Sequence, residues 1–63
     1  MFSDRLTQLR KEKGLSQKQL AEDLGVTQAT IARYENGTRQ PSLDFLVVIA
    51  LYLGVSTDYL LGL

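Results

Sequence analysis

The chain contains no cysteine and no histidine. Their absence removes disulfides, thiol chemistry, imidazole acid–base work and most zinc sites, so no metal or other cofactor is expected. Long apolar runs are also missing. The longest, Phe45 to Leu53, is nine residues, about half of what a helix needs to cross a bilayer, and no membrane association is expected. The opening MFSDRLTQLRKEKG is charged from its fourth residue and lacks the apolar stretch of a signal peptide, so a cytoplasmic location is expected. Scattered carboxylates, serines and lysines show neither nucleophile–base spacing nor a phosphate-cradling loop, which argues against an enzyme.

An excess of charge is absent too. Seven Lys and Arg balance seven Asp and Glu, an unusual ledger for a chain that handles nucleic acid. Placement matters more than the sum. All seven cations lie between Arg5 and Arg39, where five acids accompany them, while residues 41–63 hold only Asp44 and Asp58. One end is mildly basic and the other acidic and greasy. An asymmetry of this size fits a phosphate-facing surface but does not require one.

What remains is a dense series of helix punctuation. With 63 residues the chain forms one domain near the lower size limit for folding without staples, so efficient helix packing is needed. Residues 16–37, SQKQLAEDLGVTQATIARYENG, read as two short helices joined by a tight turn. Ser16 opens the first with a capping box to Gln19, and Gly25 closes it. Thr27 caps the second, and Gly37 ends it. The three-residue connection Gly25-Val26-Thr27 forces a steep, close crossing, which suits the small Ala21 and leaves Ile31 to fill the angle. This is a helix-turn-helix pattern.

Around it, Ser3 is positioned to cap an earlier helix that Gly14 stops, with Leu6, Leu9 and Leu15 facing inward. Pro41 disfavours helix at Gln40 before Ser42 caps a fourth helix, and Ser56 caps a short last one. Apolar–polar alternation never persists, so no strand is expected. The reading is an all-α fold of five short helices, at about residues 3–13, 17–24, 28–36, 43–53 and 57–61. In the fourth, Leu46, Ile49, Ala50 and Leu53 share one side, while Val48 and Leu51 fall opposite with Asp44. Apolar residues on that far side signal either an interface with another chain or domain, or a tolerated exposed patch.

The second motif helix presents Gln28, Ala29, Ala32, Arg33 and Asn36 outward. Nine residues span about 13 Å, enough to lie in a DNA major groove about 12 Å wide. Gln28 has the right amide for adenine N6 and N7, the Ala29 methyl can meet a thymine methyl, and Arg33 suits guanine O6 and N7 or a phosphate. Phosphate contacts are expected from Gln17 and Lys18 at the first motif helix's N-terminus, from Thr27 at the second's, and from Asn36, Thr38 and Arg39 after it. Each has a plainer alternative: Gln17 and Thr27 as caps, Arg33 and Arg39 as solvated cations.

The stretches LRKEKGLSQKQLA, GVTQATIARYENG and LGVSTDYLLG together resemble the lambda-repressor-like, Cro and repressor family of bacterial and phage helix-turn-helix regulators. The resemblance covers almost the whole chain. It implies that the second motif helix enters the major groove, with bases read by Gln28, Ala29 and Arg33 and phosphates held by Gln17, Asn36 and Arg39. It also implies a structural ion pair between Arg10 and Glu35, and it makes Val48 and Leu51 departures at positions where relatives usually carry polar residues. The implied partner is double-stranded DNA, bound as a homodimer on a near-palindromic operator. A further C-terminal domain or a protein partner is compatible with this reading. The alternative is an antitoxin-like or adaptor module that docks a partner on the fourth helix's outer stripe.

Overall fold

Residues 1–63 are described by a computed structural model as five helices and no strand. They are α1 (Phe2–Glu12), α2 (Gln17–Leu24), α3 (Gln28–Asn36), α4 (Leu43–Leu53) and α5 (Thr57–Leu61). Four starts are fixed by hydroxyl caps. Ser16 accepts from the Gln19 N–H at 3.0 Å, Thr27 from Thr30 at 3.2 Å, Ser42 from Phe45 at 3.1 Å and Ser56 from Tyr59 at 3.0 Å. Each satisfies a donor that the helix leaves without an internal partner. At Ser16 the box is complete, because the Gln19 Oε1 accepts the Ser16 N–H at 2.8 Å.

The start of α1 departs from the sequence reading. Ser3 lies inside the helix rather than at its cap, and Met1 occupies the cap position. The physical reason is Phe2. Its ring is buried edge-on against Tyr34, with centroids 6.2 Å apart at 73°, and that burial draws the cap two residues earlier. The terminal ammonium then meets Asp4 at 3.2 Å; at the other end Lys13 is the C-cap, with Gly14 just beyond it in the left-handed conformation at φ 72°.

The core takes one fully buried anchor from every helix: Leu6, Leu20, Ile31, Ile49 and Leu60, each at 0% exposure. A domain this small has little interior, and five interlocked aliphatics supply it without a void-prone flexible side chain. Tyr34 extends the core as a bridge between Phe2 and Phe45, the latter also 6.2 Å away. Helix α3 packs against both α2 and α1, and α5 closes on α1 and α4. No buried side-chain N or O lacks a hydrogen-bond partner. No helix is long and apolar enough to cross a membrane.

Between α2 and α3 the chain reverses at Gly25, which sits at φ 74°. In that left-handed conformation its neighbour Val26 can return an N–H to the Ala21 carbonyl, at 2.9 Å. Ala21 is itself buried, and its single methyl lets the two helices approach closely. The result is a rigid pair with α3 held by its inner residues Ile31 and Tyr34.

Candidate nucleic-acid interface

Because Ile31 and Tyr34 are committed to the core, the opposite face of α3 must point outward. Gln28, Ala29, Arg33 and Asn36 are all exposed, and Ala32 between them is half-buried. At 100° per residue these five cover one continuous face of about 140°. The face contains an amide, methyl groups, a guanidinium and a second amide, with no carboxylate among them. Glu35, the helix's only acid, falls just outside this face beside Gln28, and its side chain is only 6% exposed.

Glu35 is held there by two other helices. The Arg10 Nε from α1 donates to Oε2 at 2.6 Å, its Nη2 donates to Oε1 at 3.1 Å, and the Gln17 Nε2 from α2 donates to Oε1 at 3.1 Å. A third Arg10 nitrogen donates to the Leu15 carbonyl at 2.7 Å. The guanidinium fork thus spends its donors on a carboxylate and on the loop before α2, a geometry a lysine cannot reproduce. Burial pushes the Glu35 carboxyl up, but the hydrogen bonds from Arg10 and Gln17, reinforced by the Arg10 charge, outweigh it and hold the group below its ordinary value. The carboxylate is therefore ionised and matched.

Gln17 takes a second duty in this arrangement. Its side-chain amide is half-buried on Glu35, while its backbone N–H, with that of Lys18, occupies the first turn of α2, where donors have no internal partner. Lys18 is exposed beside it. Thr27 is also a working cap: its hydroxyl lies 2.9 Å from that of Thr30. After α3, the Asn36 Oδ1 accepts both the Thr38 N–H at 3.0 Å and the Thr38 hydroxyl at 2.7 Å. Asn36, Thr38 and Arg39 are all exposed. The outer face of α3 is thus flanked by donor groups at the start of α2 and in the loop that follows.

Three long-range contacts carry no mark in the sequence pattern. They are the Gln17–Glu35 bond, the stacking of Arg5 over the Tyr59 ring at 4.3 Å, and a hydrogen bond from the Tyr52 hydroxyl to Asp23. The last joins α4 to α2, and it raises the Tyr52 hydroxyl above its ordinary value because the phenol proton is shared with a carboxylate. Arg5 of α1 is thereby engaged with α5. The surface has one concavity, about 700 Å³, lined by Asp4, Thr7, Gln8, Lys11, Glu12 and Glu35. It is open, and no group of acids in the chain is arranged to hold a metal ion.

Comparison with known proteins matches residues 6–60 to a family model described as helix-turn-helix. The chain is 44% identical over its full length to the uncharacterized HTH-type transcriptional regulator YobD of Bacillus subtilis, covering 56% of that protein. It is 46% identical over 62 residues to the HTH-type transcriptional regulator AnsR of the same organism, 98% of this chain and 53% of the relative. The chain therefore spans about half the length of these curated relatives. Among solved structures, the biofilm regulator SinR in complex with DNA superposes with a TM-score of 0.86 at 39% identity, over 97% of this chain and 98% of that one. The P22 c2 repressor, solved with a synthetic operator, gives 0.88 at 27% identity, over 95% and 91%.

Proposed function

Since the chain belongs to the helix-turn-helix family, in its lambda-repressor-like form, we propose that it binds double-stranded DNA sequence-specifically and regulates transcription. One observation carries this reading: an exposed, carboxylate-free face of α3, fixed by the buried Ile31 and Tyr34, with donor groups clustered at both of its flanks. SinR and the P22 c2 repressor, which share the fold, were solved on DNA.

In this reading α3 lies in the major groove. Gln28 reads adenine through its amide, Ala29 packs on a thymine methyl, and Arg33 takes guanine. The backbone N–H groups at Gln17 and Lys18, the Thr27 end of α3, and Asn36, Thr38 and Arg39 hold the two phosphate strands and set the register. Arg10 and Glu35 touch no DNA. They lock α1, α2 and α3 so that the reading face and the phosphate donors keep a fixed relation, which is what sequence discrimination requires. One copy offers few phosphate contacts, and each loses affinity as salt rises. Two copies on a near-palindromic site, with half-sites about 34 Å apart, are the working unit.

Selection from randomised duplex DNA at moderate salt tests the proposal. An enriched motif with two-fold symmetry supports it. Recovery of no motif, with binding equal on all duplexes, refutes sequence-specific recognition.

A further inference from the structure

The chain contains a single asparagine, Asn36, and a glycine follows it. The pair ends α3: Asn36 is the last residue of the helix and Gly37 its C-cap, at φ 81°. At the other four helix ends the residue before the glycine is Lys13, Leu24, Leu53 or Leu61, none of which has a side-chain carbonyl. Asparagine before glycine can react with its own backbone, one source of its thermal lability. The Gly37 nitrogen attacks the Asn36 side-chain carbonyl carbon and closes a succinimide ring. As that C–N bond forms, the bond to the side-chain nitrogen breaks, and the nitrogen leaves as ammonia with the Gly37 proton. Water then opens the ring to aspartate or isoaspartate, and no oxidant or reductant is consumed. Glycine favours the attack because it has no Cβ to obstruct the backbone conformation required.

The closed helix end restrains this reaction. The Gly37 N–H is engaged on the Arg33 carbonyl, and Thr38 holds the Asn36 Oδ1 through its N–H and its hydroxyl. The restraint is thin, however. Gly37, Thr38 and Arg39 all direct their N–H groups at that one carbonyl, the last at 3.3 Å. Residues 36–40 are all exposed, and the chain is anchored in the core only at Tyr34 before them and Phe45 after them. An end held by a few exposed hydrogen bonds opens locally at low cost.

We propose that Asn36-Gly37 is a self-modification site, at which the folded, DNA-free chain deamidates and thereby silences the α3 face. The silencing rests on the DNA-binding reading; the chemistry does not. Asn36 lies near the middle of the outward face of α3, which carries no carboxylate. Aspartate there still offers an oxygen to Thr38, so the turn persists, but an amide donor has become an anion facing phosphates. Isoaspartate also lengthens the backbone and spoils the cap. Bound DNA, held by Asn36, Thr38 and Arg39, keeps the turn closed. Copies on their operator are protected and idle copies age.

The full chain incubated for days at mildly alkaline pH tests this in three forms: folded and free, unfolded in urea, and folded with a selected duplex. Trypsin releases residues 34–39 between Arg33 and Arg39, and mass spectrometry reads the exchange of amide for acid in that peptide. The free folded chain should convert, more slowly than the unfolded one. With the duplex at about 100 times its dissociation constant, conversion should slow at least about tenfold. Specific binding should fall in proportion to the acid formed, and freshly made Asn36→Asp should keep its helicity by circular dichroism yet bind at least about tenfold more weakly. A folded chain that keeps its amide while the unfolded chain converts overturns the proposal. Equal conversion with and without the duplex, or acid-bearing chain that binds as tightly as fresh chain, overturns it as well. Fresh chain that selects no duplex fails the DNA-binding reading instead, and the two duplex-free samples still decide whether the site reacts.

Discussion

Arg10 and Glu35, 25 residues apart in the chain, meet through two hydrogen bonds of 2.6 and 3.1 Å with side chains only 11% and 6% exposed. Gln17 joins them from a third helix. Desolvating two charges is expensive, and geometry this complete is what offsets it. The pair ties α3 to α1 and α2 at the edge of the outward face of α3, so its integrity and that of the proposed reading face are the same question.

Removing one partner should be costly. Arg10→Met leaves a buried carboxylate with only Gln17 as a firm donor and is expected to destabilise the fold by about 3 kcal/mol. A domain of this length has about 3–9 kcal/mol in total, so urea unfolding should show a chain close to collapse. The double variant Arg10→Met with Glu35→Leu should regain most of that stability, because no unpaired charge remains. A double variant no more stable than the single one would show that the pair, rather than its unmatched remnant, supports the fold.

The same carboxylate sets an acid limit. Glu35 in the folded chain lies below its ordinary value of 4.5, so between the two values the unfolded chain binds more protons. Its contribution is therefore fully present above pH 4.5 and lost as pH falls through the depressed folded value. Thermal unfolding followed from pH 7 to pH 3 should fall more steeply for the wild type than for Glu35→Gln, which has no proton to gain there. Parallel curves would place the acid sensitivity in other carboxylates.

The helices were legible where the signal is local. Ser16, Thr27, Ser42 and Ser56 each precede a helix whose first turn they satisfy, and the apolar spacing of Leu46, Ile49, Ala50 and Leu53 matches the buried side of α4. Ser3 misled because a cap adds about 1 kcal/mol while burying an aromatic ring such as Phe2 adds more. The outward face of α3 was likewise legible, since Ile31 and Tyr34 fix its phase. The links among helices were not, apart from the Arg10–Glu35 pair, which the family resemblance implied and which is present. Nothing in periodicity says that Gln17 turns to Glu35, that Tyr52 reaches Asp23, or that Arg5 covers Tyr59, because such contacts depend on how whole helices cross.

Phosphate and base contacts separate by their response to salt and sequence. Arg39→Ala should weaken binding to all duplexes alike and lower the slope of log affinity against log salt by about one. Lys18→Ala should act in the same sense. Fluorescence anisotropy on a selected and a scrambled duplex at three salt concentrations provides the comparison, and a change in preference without a change in slope would move Arg39 from phosphate to base.

The central claim is that the outer face of α3 reads bases and that Gln28 leads it. Its most direct measurement is selection from random duplexes run in parallel with the wild type and with Gln28→Ala. The account predicts that one adenine position in each half-site loses its preference, at about 1–3 kcal/mol of discrimination, while the rest of the motif and the half-site spacing persist. An identical motif from both proteins, or a loss of preference spread evenly over every position, would contradict it.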